Sequence, residues 1–301
     1  MSSFNISLTP AQFEFTAQPG ATIIQAYEIT NNSDNTIFLS SSVEPWIPSG
    51  IDGNVSYANI IANPKIIFSL NNADLNLGQG FNLQPQEKRQ LVLKIKVDPQ
   101  SELKDHYYTF FINQTSIGTL ESQQNSTQAS GKIGSHILLS VSNSEQQSSK
   151  AEIKNFKVFP KIKDIFLTPI NFQAEINNST DYFFKTDGQI TINKNDLKTN
   201  ETRLMPSNIL AHHSRSISCI ANSTDPKAPP TSVNCTLNPP LWPGSYTATL
   251  SLDPSISSKP ITVSFFVFPF SLIGLLGIIF ILFWILKTHP SVRAIHESPL
   301  Q

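Results

Sequence analysis

Cys219 and Cys235, the chain's two cysteines, are the residues whose type and spacing most directly imply chemistry. They lie within SISCIANSTDPKAPPTSVNCTL, where two short β-rich stretches flank a loop of Pro, Ser and Thr, so the spacing predicts a long hairpin closed by a disulfide. In the chain-entropy account such a closure contributes about 3 kcal/mol, and the bond persists outside the cytosol. The plainer alternative is two free thiols on neighbouring strands. No metal site is expected: two sulfurs lack the second ligand pair that zinc needs. His212 and His213 are adjacent, and on a strand they would point to opposite faces. The remaining histidines are scattered, with His289 and His296 near the C-terminus. No GxSxG, HExxH, P-loop or CxxC occurs, and no carboxylate pair stands at a spacing that marks an acid/base couple. The chain is therefore expected to have no catalytic residues and no cofactor.

The element that would position any function is the apolar run FFVFPFSLIGLLGIIFILFWIL, Phe265 to Leu286, which carries no charge. At about 1.5 Å per residue it spans roughly 33 Å as a helix, enough for a hydrocarbon core of about 30 Å. A single transmembrane helix over 265–286 is predicted, with Phe265 and Leu286 as its ends, Pro269 in its first turn and Trp284 at the inner headgroup level. Lys287 and Arg293 follow the run while only Lys259 lies just before it, so the positive-inside bias predicts a cytoplasmic tail, 287–301. The bulk of the chain is then extracellular, on a single-pass protein of the plasma membrane. The opening MSSFNISLTP has neither a basic n-region nor an apolar h-region. Three arrangements accommodate this: a removed leader, a start inside a longer reading frame, or a tail-anchored protein with its bulk in the cytosol.

Upstream of the run the pattern is β throughout. ATIIQAYEITNN, TIFLSSSVEPW, KIIFSL, KRQLVLKIKV, HYYTFFINQT and GSHILLSVS read as short strands, and in LKIKV the basic Lys94 and Lys96 face solvent opposite Leu93, Ile95 and Val97. The polar stretch NSEQQSSKAE marks a linker, and β patterning resumes with EIKNFKVF and PINFQAEINN and runs on to GSYTATLSL and PITVSFFVF. The predicted fold class is all-β: two tandem immunoglobulin-like β-sandwiches, 1–143 and 153–264, joined by linker 144–152 and followed by one C-terminal transmembrane helix. Charged residues are 14% of the chain and the net charge is −1, which leaves no electrostatic footprint for nucleic acid. Asn-X-Ser/Thr triplets occur at Asn5, Asn31, Asn54, Asn113, Asn125, Asn177, Asn178, Asn200, Asn222 and Asn234, as a chain rich in these residues generates by chance.

An ordered set of segments resembles a known group. Pro19-Gly20 leads into a strand ending TNNSD, followed by FNLQPQEKRQLVLKIKV, DHYYTFF and KIGSHILLSV; INFQAEINNSTDYFFKTDGQITI, WPGSYTATLSL and FFVFPFSLI come later. This set is similar to bacterial single-span cell-surface membrane proteins that carry a pilus-chaperone-like and WxL-interacting-like domain, a second immunoglobulin-like domain and one C-terminal span. The resemblance implies a non-enzymatic surface module that binds cell-wall polymer or a surface or exported protein. It also implies an alternative, an assembly factor that acts on exported proteins by β-strand addition.

Overall fold

The computed structural model describes residues 5–58, 60–114, 131–144, 149–166, 169–221, 231–237, 242–256 and 258–288. Two compact units are present. The first is Met1–Lys150 together with Asn178–Phe184 and Ile209–Arg215; the second is Ala151–Asn177, Lys185–Asn208 and Ser216–Gln301.

In the first unit the strands are β1 (Ile6–Thr9), β2 (Gln12–Ala17), β3 (Thr22–Asn31), β4 (Ile37–Pro45), β5 (Ile47–Ser49), β6 (Asn54–Ser56), β7 (Ile66–Leu70), β8 (Gly80–Leu83), β9 (Lys88–Val97), β10 (Asp105–Gln114) and β11 (Lys132–Val141). They form a four-stranded sheet, β1-β3-β9-β7, a five-stranded sheet, β2-β11-β10-β4-β8, and a β5-β6 ribbon. Period-two alternation sends one face of each strand inward. From β9, Leu91, Leu93, Ile95 and Val97 are fully buried; they share one core with Leu39, Phe110, Ile112, Ile137 and Leu139 of the other sheet. Tyr27 meets Phe110 across the sheets with ring centroids 4.8 Å apart. Lys94 is half-buried and Lys96 exposed on the outer face, as the alternation predicts. The chain changes sheets at the cis Thr9–Pro10 bond: β1 runs antiparallel to β3 and β2 parallel to β11.

The second unit contains β12 (Ala151–Phe159), β13 (Ile162–Asp164), β14 (Ile170–Asn178), β15 (Phe184–Thr186), β16 (Gly188–Lys194), β17 (Leu197–Arg203), β18 (Ser207–Ile209), β19 (Ser214–Ser216), β20 (Cys219–Ile220), β21 (Ser232–Val233), β22 (Thr236–Leu237), β23 (Gly244–Leu252), β24 (Ile261–Phe268) and α1 (Phe270–Thr288). The terminal residues of β14, β15, β18 and β19 that fall in 178–184 and 209–215 belong to the first unit. One sheet has β12-β14-β19 with β22 beside β14; the other runs β13-β24-β23-β16-β17. The plan of the first unit recurs: β12 neighbours β14, the chain crosses at the cis Phe159–Pro160 bond, and β13 lies parallel to the last strand. Phe156, Phe172, Ile190, Tyr246, Leu250 and Phe265 build the core. Cys219 and Cys235 are joined in a disulfide and both are buried. Because the Cys235 carbonyl accepts from the Phe172 N–H at 2.8 Å, the bond ties the β20–β21 hairpin to β14.

The long apolar run is divided. Its first four residues, read above as the start of a helix from Phe265, are the end of β24, paired with β23 from Tyr246↔Phe265 to Gly244↔Val267. Phe265 stacks on Tyr246 with centroids 5.4 Å apart and is a core residue of the second unit, on a strand rather than in the helix. The helix begins after Pro269, whose carbonyl accepts the first intrahelical bond from Ile273 N–H at 3.1 Å. A continuous apolar segment suits a buried strand and a helix equally; pairing with β23 and the missing proline N–H decide where one stops. With nineteen residues and none buried, α1 is long and apolar enough to cross a membrane. Trp284, Leu286 and Lys287 lie on it, and Arg293 lies outside the described residues.

Candidate functional site

Strand β10 carries two different faces. Tyr108, Phe110 and Ile112 point into the core, while Tyr107, Thr109 and Phe111 lie on the outer face of the same sheet. That outer face is not bare. Trp46, just past β4, stacks on Tyr107 at 4.9 Å and meets His136 edge-on at 5.2 Å, and its indole N–H donates to the Tyr108 carbonyl at 2.8 Å. Tyr57 follows the β5–β6 ribbon and places its hydroxyl 2.8 Å from that of Thr109, with its ring 5.4 Å from Phe111. Gly134, paired with Phe111, makes room for this layer: a Cβ there would come within 2.5 Å of the Thr109 methyl and 2.7 Å of the Phe111 ring.

At the start of β10, Asp105 gathers three donors. Ser140 Oγ donates to one carboxyl oxygen, and the Tyr107 hydroxyl, at 2.7 Å, and the Phe183 N–H donate to the other. The Tyr107 oxygen in turn accepts from the Ala211 N–H at 3.0 Å. Segments 178–184 and 209–215, which belong to this unit, are thus fastened to β10 through one buried carboxyl and one phenol. Burial outweighs the three donors and pushes the Asp105 carboxyl up to about 6. Burial first, and the neighbouring carboxylate second, push the Tyr107 phenol far above its ordinary range.

Beside this node opens a cleft of about 680 Å³, lined only by residues of the first unit. Its apolar wall comes from Ile47, Ile60 and Ile61, the last being 93% exposed at the rim. Its polar wall carries the Lys104–Glu102 ion pair and a hydrogen bond between His212 Nε2 and an Asp181 carboxylate oxygen at 2.8 Å. His106 also lines it, and desolvation holds this imidazole below its ordinary value. Its Nε2 is buried with no hydrogen-bond partner among the described residues. Asp105 is occupied by its three donors. What remains is an apolar shelf opposite a wall with charges of both signs, in the size range of ligand pockets.

No protein-family model matches the chain, and no curated protein matches it. Solved structures do. The class 5 fimbriae chaperone CfaA is 10% identical, with 88% of this chain and 100% of that chain covered and a TM-score of 0.41. The E. coli chaperone DraB is 9% identical over 86% and 98%, with a TM-score of 0.37. The Pseudomonas aeruginosa CupB2 chaperone is 10% identical over 87% and 100%, with a TM-score of 0.36. At these values the likeness carries no argument about the cleft or its occupant, which rest on the geometry alone.

No motif in the sequence marks the cleft. Asp105, His106 and Tyr107 sit in DHYYTFF, which reads simply as a strand; the available signal was a charged and polar start to an otherwise apolar strand. Lys94 and Lys96, on β9, are not among the cleft's lining residues. His212 and His213 are in a turn rather than on a strand, His212 with a positive φ of 56°, and no cluster of metal-ligating side chains occurs among the described residues.

Proposed function

We propose that this protein is a membrane-anchored binding module that presents its β-sandwiches, 1–143 and 153–264 in our reading, to a protein or cell-wall partner outside the plasma membrane. Helix α1 is the anchor, and Lys287 and Arg293 keep the tail cytoplasmic. The observation that carries the reading is the cleft at the start of β10, where an apolar shelf faces the Lys104–Glu102 and His212–Asp181 pairs. That combination suits an extended chain segment that seats an apolar side chain on Ile60 and Ile61 and aligns its charges opposite.

A second reading, an exported-protein assembly factor, draws on β7. This five-residue edge strand, IIFSL, has no charge, pairs with β9 alone among the described residues, and leaves Ile67 52% exposed. Edge strand β17 carries Lys198, Glu201 and Arg203, which discourage strand addition.

Photo-crosslinking from intact cells tests the proposal. With the probe at Ile61, adducts to a surface or exported protein or to cell-wall glycan are expected, and should be absent with the probe at Lys88 on β9. Equal capture at both positions overturns the cleft as the site. Capture of exported subunits by a probe at Ile67 and not at Ile61 favours the second reading.

A further inference from the structure

The end of the second unit from which α1 leaves is apolar on its outside. Ile162 pairs with Phe266 and Asp164 with Phe268 where β13 lies along β24, and only Pro269 separates that strand from the helix. Phe166, two residues past β13, is 68% exposed; Ile162 and Phe266 are also exposed. Phe266, Phe268 and Phe270 form a ladder, with centroids 6.3 and 4.6 Å apart, that continues from the strand onto the helix. Trp242, 80% exposed, precedes β23 at the same end, because Gly244 pairs with Val267.

The junction is also held. A proline N-cap has no side-chain acceptor for the helix's second N–H, and Asp164 supplies one from outside: its carboxylate accepts from Ser271 N–H at 2.7 Å and Ser271 Oγ at 2.8 Å. It also accepts from the Phe166 N–H at 2.9 Å, so one carboxylate fixes both the helix start and the loop that carries Phe166. Negative charge at a helix N-terminus is favoured by the macrodipole. The aromatic side chains are therefore fixed around the helix rather than carried on a tether.

We propose that this collar, Ile162, Phe166, Trp242, Phe266 and Phe270, is a lipid-docking surface: the second unit rests on the bilayer with these side chains at the boundary between headgroups and acyl chains. The inference rests on the reading of α1 as a membrane span. Its argument is continuity. The nineteen helical residues already match a hydrocarbon core of about 30 Å at about 1.5 Å each, so the structure at the helix start lies at headgroup depth, where aromatic side chains concentrate. An apolar collar at that level would otherwise face water.

Bromine quenching in vesicles tests this on the full chain. The protein is reconstituted in phosphatidylcholine with acyl chains brominated near the headgroup. The emission of Trp242 is taken as the difference between W284F and W284F/W242F, and that of Trp284 as the difference between wild type and W284F. Both side chains are exposed, so neither change threatens folding. Most of the Trp242 emission should be lost relative to unbrominated lipid. If Trp284, at the opposite headgroup level, is quenched by the same chains while Trp242 keeps its full emission, the span stands and the collar faces something else, a second copy or a protein partner. If neither is quenched, the span fails and the docking surface fails with it.

Discussion

The Asp105 carboxyl shows how one buried residue ties stability to pH. Its folded-state value of about 6 lies above its ordinary 3.8, so between those values the folded chain binds a proton that the unfolded chain does not. Its contribution is complete below about pH 4 and is lost as pH rises through about 6, a difference on the order of 3 kcal/mol. Burial of His106 and His136 lowers their values and acts in the opposite sense, reducing stability as pH falls. The expected result is therefore a difference profile: urea unfolding of wild type and Asp105→Asn between pH 4 and 7 should diverge with that sign, and parallel curves would contradict it. Asn31 and Asn178 make a second residue-scale case. Each is buried at the end of a strand, and each takes hydrogen bonds from a Ser or Thr two positions on. Asn31 donates to the carbonyls of Asn35, Leu83 and Gln84, and Asn178 to those of Tyr182 and Ile209. Replacing either by Ala should cost on the order of 2 kcal/mol, read in chemical denaturation, because it strands buried carbonyls. Neither amide can accept a glycan while folded; mass spectrometry after expression in a glycosylating host should find both unmodified, in contrast to exposed Asn54 and Asn234. Asn125 and Asn222 lie outside the described residues. The sequence showed these triplets only as sequons. Their role as strand-end brackets depends on backbone carbonyls that, for Asn31, lie up to 53 residues away.

At the scale of elements, periodicity was legible wherever one face of a strand meets a core and the other meets solvent. The alternation around Lys94 and Lys96 is such a case, since Leu93, Ile95 and Val97 are fully buried beside them. It failed where both faces are apolar, so Phe265 was read as helix. The junction at Asp164 yields a prediction at this scale. Asp164→Ala should leave the Ser271 N–H and hydroxyl without that acceptor, destabilise the second unit in detergent by about 1–2 kcal/mol, and speed amide exchange in the first turn of α1; Asp164→Asn, which keeps an acceptor, should lie between. Reduction of Cys219–Cys235 should lower the stability of the same unit by about 3 kcal/mol, measured with and without reductant.

For the whole molecule, the proposed anchor is α1, a helix with no buried residue that is long and apolar enough to cross a membrane and follows two β-rich units. Protease added to intact cells should therefore release fragments from the region before α1, and a chain ended after Pro269 should leave the membrane fraction; retention of that truncated chain would show another attachment. The sequence by itself determined the β character of both halves, the disulfide partners and an apolar segment near residue 270, because composition and local period suffice for each. Only the tertiary structure decided that Phe265 packs inside while Phe270 does not, that Asp164 caps a helix 107 residues further on, and that residues near 46, 61, 105 and 212 line one cleft. Period reports which face a side chain takes. Which distant strand or loop meets that face depends on sheet pairing, and pairing is a property of the folded chain.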